Sequence, residues 1–456
     1  MAKKKQIELT IEEKLQNALV PKEEQPYKIP SNWCWSYWKY CGKFIAGNGF
    51  KNIYQGFTQY DIPYYKVGSL KFCDEGNYLI DETNTINEEI RTKLKAVKIP
   101  VNSIIFAKIG EAIKLNRRCL NKIECCIDNN LMAFISEKYF YKYIFYWTKS
   151  LNFYELTNAT TVPALRKTDL ENIPIPLPPL NEQQRIVNRI ESLFAKLDRA
   201  KELIENTLAQ FEENKMAILH KAFIGELTAK WRKENNIDLS SWQEKTVDEL
   251  CTSLKYGTSK KSNPEGSVVV LRMGNLQNGE IDWSNLMYTD DKDDIEKYLL
   301  KKGDVLFNRT NSPELVGKTS IYRGEYPAIY AGYLIKLDYG KDIIGEYLNY
   351  MMNSTKAKHY CYTVKTDGVS QSNINAKKIG AFEIPVPTIE EQQEIVNILD
   401  RLLAKYNKIK NLEQQLEKIE LLKKAILAKA FRGELGTNNP DEESAENLLK
   451  EILAEK

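Results

Sequence analysis

Ile173-Pro-Ile-Pro-Leu-Pro-Pro-Leu-Asn-Glu-Gln-Gln-Arg-Ile-Val187 returns 209 residues later as Phe382-Glu-Ile-Pro-Val-Pro-Thr-Ile-Glu-Glu-Gln-Gln-Glu-Ile-Val396. Lys221-Ala-Phe-Ile-Gly-Glu-Leu227 returns 208 residues later as Lys429-Ala-Phe-Arg-Gly-Glu-Leu435. Fainter matches lie upstream of each. Pro30-Ser-Asn-Trp33 pairs with Leu239-Ser-Ser-Trp242, Lys66-Val-Gly-Ser-Leu70 with Arg272-Met-Gly-Asn-Leu276, and Asn102-Ser-Ile-Ile-Phe-Ala-Lys108 with Gly303-Asp-Val-Leu-Phe-Asn-Arg309. A repeat this long is not a solenoid, whose units run to 20–50 residues. It is a tandem duplication of a domain plus a spacer, so any fold must be built twice.

The well-matched parts read as long helices. Ile186, Ile190, Leu193, Leu197, Ala200 and Ile204 are spaced alternately four and three apart, as are Ile395, Leu399, Leu402, Tyr406 and Ile409. This is an apolar seam of period near 3.5, the signature of a coiled-coil helix. The alternation slips at Leu208 in the first helix and between Ile409 and Leu412 in the second, where the offset changes by one residue. The preceding proline run is extended, because proline cannot continue a helix. Asn181 and Thr388 are the expected N-caps and Gly225 and Gly433 the expected C-caps. Each helix is roughly 40 residues, about 60 Å long. A single seam needs a partner, and the other copy supplies one, antiparallel if the chain returns.

The diverged parts, rich in aromatic and β-branched residues with Gly and Asn turns, read as one mixed α/β domain each. The resulting division is a helical segment at 1–29, a first domain at 30–179, a first spacer helix at 180–236, a second domain at 237–388, a second spacer helix at 389–436 and a helical tail at 437–456. The tail and the N-terminal helix from Ile11 are both amphipathic and able to pack together.

Composition excludes several classes of function. The 456 residues carry 65 Lys plus Arg against 62 Asp plus Glu, a net +3, so the chain is no polycation. Two histidines (His220, His359) and eight cysteines without a Cys-x-x-Cys spacing give no metal site and no disulfide framework. The absence of an apolar run of about 20 residues predicts no membrane span, and the expected location is the cytoplasm. Val316-Gly-Lys-Thr-Ser320 mimics the end of a phosphate-binding loop, but Ser312 stands where its first glycine belongs. No methyltransferase Asn-Pro-Pro-Tyr tetrad or Gly-rich cofactor loop follows a strand.

Two variable domains, each followed by a matched helix with a Pro-rich approach and Glu-Gln-Gln, and each ending in Ala-Phe-x-Gly-Glu-Leu, resemble the specificity (S) subunit of type I restriction–modification enzymes. Gly303-Asp-Val-Leu-Phe307 resembles a further signature of that family. Asn102 and Ser103 replace its Gly and Asp in the first copy. The resemblance implies an α+β fold: two similar target-recognition domains separated by two long antiparallel coiled-coil helices, in pseudo-two-fold arrangement. It implies a non-catalytic chain that reads a bipartite target in double-stranded DNA. The helices set the spacer and dock two methyltransferase (M) subunits, and restriction (R) subunits join them. S-adenosylmethionine, ATP and Mg belong to those partners, and this chain holds no cofactor and no metal. The alternatives are a coiled-coil scaffold binding only proteins and a stand-alone nuclease.

Candidate DNA contacts follow from residue chemistry, since Arg suits guanine and Asn adenine in the major groove. They are Asn308, Arg309 and Asn311 after the second-copy strand, and Lys108 at the matching place in the first copy. Lys114, Arg117 and Arg118 form a basic cluster. Lys255, Tyr256, Thr258, Lys260 and Lys261 lie in a Gly-containing loop. Ser370, Gln371 and Asn373 pair with Thr161 and Val162 of the first copy. The group Trp33, Trp35, Tyr37 and Trp38 reads as core. The helix-pair seam comprises Ile186, Ile190, Leu193, Leu197, Ile204, Leu208, Ile395, Leu399, Leu402, Tyr406, Ile409 and Leu416.

Overall fold

The computed structural model describes residues 10–137, 139–157, 162–404 and 410–454. Tyr406, Ile409 and Thr161 lie outside these. The chain forms two compact units, one of Met1–Glu202 with Gln415–Lys456 and the other of Leu203–Gln414.

In unit 1 a four-stranded antiparallel sheet runs in the order Gly42–Ala46, Leu131–Ser136, Ile104–Ala107, Arg118–Leu120. A three-stranded sheet has Ile62–Tyr65 at its centre, antiparallel to Thr85–Ile86 and parallel to Cys126–Ile127. Unit 2 repeats both orders. Its four strands are Cys251–Tyr256, Leu334–Tyr339, Val305–Asn308 and Thr319–Ile321, and its three have Val268–Leu271 between Tyr288–Thr289 and Ala328–Tyr330. Ile104–Ala107 and Val305–Asn308 are buried at every residue, as continuous short apolar runs should be. Gly303 precedes the second of these with φ +98°, and Asn102 holds the same place in unit 1 with φ +64°. Asparagine is the side chain best tolerated there, so the first copy loses the glycine but keeps the turn.

Each proline run is a strand. Pro174–Leu177 pairs antiparallel with Cys34–Tyr37, and Glu383–Val386 with Gln243–Thr246. Proline is tolerated in such two-stranded ribbons because its missing N–H faces away from the ladder. The first long helix follows directly as Leu180–Phe223. It begins one residue earlier than its expected cap, so Asn181 lies inside it and Pro179 occupies the position where Thr388 caps the second helix, its hydroxyl accepting from Glu391 N–H. The second helix is described as Ile389–Leu403 and Lys410–Phe431. Gly225 and Gly433 close the two helices at φ +80° and +75°. A Cβ on Gly433 would stand 2.4 Å from Pro30 Cγ, so the site needs glycine for space as well as for conformation.

Within unit 1 the helices run antiparallel, with Lys423 paired to Asp198 and Lys201 to Glu420. Ile186 and Ile190 are buried in the same core as Leu427, Ala430 and Phe431. Within unit 2, Ile395 and Leu399 share a core with Leu219, Ala222 and Phe223. Leu193, Leu197, Ile204, Leu208, Leu402 and Leu416 are half-buried. The seam is therefore sealed where a domain covers it and partly wet elsewhere. Trp33, Trp35 and Trp38 are core; Trp38 meets Phe44 and Trp147 edge-on.

Glu-Gln-Gln has a physical reason to recur. Glu182, Gln183, Glu391 and Gln392 are all 0% exposed. Gln183 donates to Pro178 O and accepts from Phe140 N–H; Gln392 donates to Pro387 O and accepts from Ile344 N–H. Glu391 accepts from Trp242 Nε1 at 2.9 Å, Thr228 Oγ1 at 2.6 Å and Arg232 Nη1 at 2.6 Å. Glu182 accepts from Trp33 Nε1 at 2.9 Å and Asn438 Nδ2 at 2.8 Å. In unit 2 these donors come from one continuous stretch. In unit 1 they come from opposite ends of the chain, and the tail helix Ala445–Ala454 packs on Ile11–Ala18, with Leu449, Ile452 and Leu453 buried beside Leu15 and Ala18.

Glu391→Ala leaves Arg232 buried without its anion and should cost about 3–5 kcal/mol. Glu182→Ala strands only neutral donors and should cost about 1–3 kcal/mol. Urea unfolding of both variants measures the difference, and equal losses would contradict this account.

Candidate nucleic-acid interface

The strand Val305–Asn308 delivers Arg309 to the edge of the second unit. Arg309 N–H donates to Tyr333 O, and Arg309 O accepts from Ile374 N–H at 2.8 Å. Its guanidinium lies 4.8 Å over the Tyr256 ring and donates to Asn373 Oδ1 at 3.2 Å. Asn373 in turn donates to Thr310 Oγ1 at 2.7 Å. Tyr256 O–H accepts from Ala376 N–H. A small sheet, Thr310–Asn311 with Ser372–Asn373 and Thr366–Asp367, carries an exposed turn of Gly368, Val369, Ser370 and Gln371. Arg309, Tyr256, Asn373, Asn311, Ser370 and Gln371 are thus gathered on one patch, although they span 118 positions of sequence. Arg309 has no carboxylate partner among the described residues, so its charge is not neutralised by an ion pair, and its Nε is buried without an acceptor.

Unit 1 builds the same backbone. Leu165 N–H donates to Lys108 O at 2.8 Å, matching the bond from Ile374 to Arg309. Ile109 bridges Ala164 where Thr310 pairs with Asn373, and Ala46 takes the register position of Tyr256. Val162 is exposed beside this site.

Other expected contacts are removed. Arg118 is 1% exposed; it donates to Asn116 O and Leu151 O and lies 3.7 Å over Phe153. Burial without a carboxylate pulls its guanidinium pKa down. It belongs to the core of unit 1 and not to a surface cluster. Asn308 is 0% exposed, its amide turned in to Met273 O and Thr310 N–H. Thr258 is buried against Asp294. Lys255 is paired with Asp338, Lys260 with Asp291 and Asp294, and Lys114 with Glu111. Arg117 and Lys261 are exposed and outside any ion pair among the described residues. Lys318, in the segment that mimics a phosphate loop, leads into the strand Thr319–Ile321 and donates to Gln277. Thr310, which orients Asn373, was not legible in sequence; its only signal is adjacency to Arg309.

Among the described residues no group of His, Cys, Asp or Glu could hold a metal ion, and no helix is long and apolar enough to cross a membrane.

Comparison with known proteins matches residues 52–210 and 240–421 to the family described as type I restriction modification DNA specificity domain. The chain is 30% identical over 315 residues to the type I restriction enzyme EcoKI specificity subunit of Escherichia coli K12, covering 66% of this chain and 68% of that one. It is 29% identical over 335 residues to the StySPI specificity subunit of Salmonella potsdam, covering 69% and 71%. Its fold is similar, with TM-score 0.66 and 19% identity over 90% of this chain and 100% of the other, to a structure described as the basis of complex assembly and conformational transition of the type I R-M system.

Lys255 and Lys260 already face carboxylates, which offset part of their attraction for a further anion. Lys255→Ala and Lys260→Ala should therefore leave duplex-DNA affinity within about two-fold of the parent, while Arg117→Ala should weaken it and flatten its salt dependence. Fluorescence anisotropy across a salt series tests both.

Proposed function

This chain belongs to the family of type I restriction–modification DNA specificity subunits, and we propose that each of its two units reads one half of a split target. The observation that carries this is a scaffold repeated with its candidate contact side chains exchanged. At matched backbone positions unit 2 presents Arg309, Thr310, Tyr256 and Asn373, and unit 1 presents Lys108, Ile109, Ala46 and Ala164. Base edges are told apart by side-chain donors and acceptors, while the scaffold only positions them. Two units alike in backbone and unlike in these groups suit two different half-sites.

The first long helix passes without a break from residues of unit 1 into residues of unit 2, which supports its role as the spacer between half-sites. The methyltransferase subunits dock on the long helices, where Leu421 and Leu422 are 63% and 50% exposed. In this reading S-adenosylmethionine, ATP and Mg act in the partner subunits, and this chain contributes recognition and no catalysis.

Arg309→Ala should cost about 1–3 kcal/mol at one half-site and relax its preference there alone. Mapping methylated sites made by the assembled complex reads this out. Loss spread equally over all sequences would reassign Arg309 to a phosphate. Inserting four residues after Ala209 adds about 6 Å and about 1.1 turns, which keeps the seam nearly in phase. With base pairs about 3.4 Å apart, the unspecified spacer should lengthen by one or two base pairs. An unchanged spacer would refute the ruler.

A further inference from the structure

Lys66-Val-Gly-Ser-Leu70 and Arg272-Met-Gly-Asn-Leu276 are a rare stretch of likeness inside the diverged domains, and their geometry is the same. Each leaves the central strand of the three-stranded sheet as a tight turn. Lys66 N–H donates to Ser69 Oγ at 3.0 Å, and Arg272 N–H donates to Asn275 Oδ1 at 2.9 Å. Both turns are anchored by a buried leucine, Leu70 and Leu276. In both, the cation is half-buried and the glycine exposed.

Two features are not required by the fold. The first is the glycine. Neither Gly68 nor Gly274 has a positive φ, and a Cβ built on either meets nothing within 4 Å. Conformation and internal packing both tolerate a larger residue, so glycine here leaves room for something outside the chain. The second is the cation. Among the described residues neither has a carboxylate partner. Lys66 donates to the Gln55 amide oxygen at 2.7 Å, and Arg272 donates to Asn285 O at 2.6 Å while its sealed Nε has no acceptor. Two carboxylates lie nearby without forming an ion pair to either cation among the described residues: Asp128, which feels the charge of Lys66 and accepts from Asn130 N–H, and Asp282, which accepts from Ser284 N–H and Oγ–H. In unit 2 the glycine lines a cleft of about 530 Å³ together with Arg272, Asn275, Asn285 and Tyr333, and with Asp282 as its one carboxylate. Tyr333 is the residue whose carbonyl holds Arg309 N–H.

We propose that the Lys66–Leu70 and Arg272–Leu276 turns are a duplicated clamp for the phosphodiester backbone of DNA, one in each unit, with the cation on a phosphate and the bare glycine letting the strand approach. The proposal rests on the DNA-reading function above and adds a contact that carries no sequence information. A phosphate contact is the kind of contact that both units can share while their base-reading groups differ.

The test uses the full chain assembled with its methyltransferase partner and a short mixed-sequence duplex, titrated with salt. Losing one phosphate contact lowers the slope of log affinity against log salt by about 0.9. At 0.15 M salt that slope corresponds to about five-fold weaker binding. Lys66→Ala and Arg272→Ala should each show this, and the double variant about twice the slope change. Gly274→Gln should melt at the parent temperature yet bind the same duplex more weakly. Parent-like slopes in the cation variants, or an effect confined to one of them, would overturn the duplicated clamp. Early melting of Gly274→Gln would overturn the role given to the glycine. A parent complex that binds mixed duplex and has no preferred genomic site would instead refute half-site reading, leaving the clamp standing.

Discussion

A buried carboxylate at the start of each long helix organises the unit around it. A charge taken out of water is tolerated only with donors that replace the lost solvation. Glu391 therefore dictates where Trp242, Thr228 and Arg232 must stand, and Glu182 does the same for Trp33 and Asn438. The adjacent glutamines tie each helix start to the end of the proline strand and to Phe140 and Ile344, which precede the domain helices Tyr141–Ser150 and Gly345–Met352. Strand, helix and chain crossover are fixed at one point in each unit. The same constraint draws the C-terminal segment into unit 1, where Arg185 also holds Glu442 and Thr437 O. The matching place in unit 2 is filled by the linker between the copies.

Given that frame, the domains are free to change their surfaces. The strand orders and the backbone bonds at Lys108 and Arg309 agree between units, and the side chains around them do not. The surface cations differ in their company. Lys255, Lys260 and Lys114 are ion-paired inside the protein, whereas Arg309, Lys66 and Arg272 form no ion pair among the described residues. An unanswered cation beside an aromatic ring or an open turn keeps most of its capacity for an external anion.

Burial sorts the expected contact residues as well. Arg118, Asn308 and Thr258 carry the right chemistry and sit near the right motifs, yet all three are buried. Arg118 faces inward because its strand pairs with Ile104–Ala107 and its long side chain finds Phe153 and Leu151 O. Asn308 is the last residue of a strand buried at every position, so its amide turns to the backbone. Arg309, one residue on, leaves that strand and reaches Tyr256, 53 positions away in sequence.

The duplication, the two long helices with their glycine ends, the extended proline strands and the mixed α/β character of each domain were legible in sequence alone. Each depends on local rules: a 3.5-residue seam, a proline that cannot continue a helix, a glycine at positive φ. Tertiary structure alone decided which end of the chain completes unit 1, which cations are free and which polar side chains face inward. Those outcomes depend on partners brought close by the fold, such as Asp338 for Lys255, Asp294 for Thr258 and Asn438 for Glu182. Pair energies fall with distance in space and are indifferent to distance along the chain, so no pattern in the linear sequence encodes them.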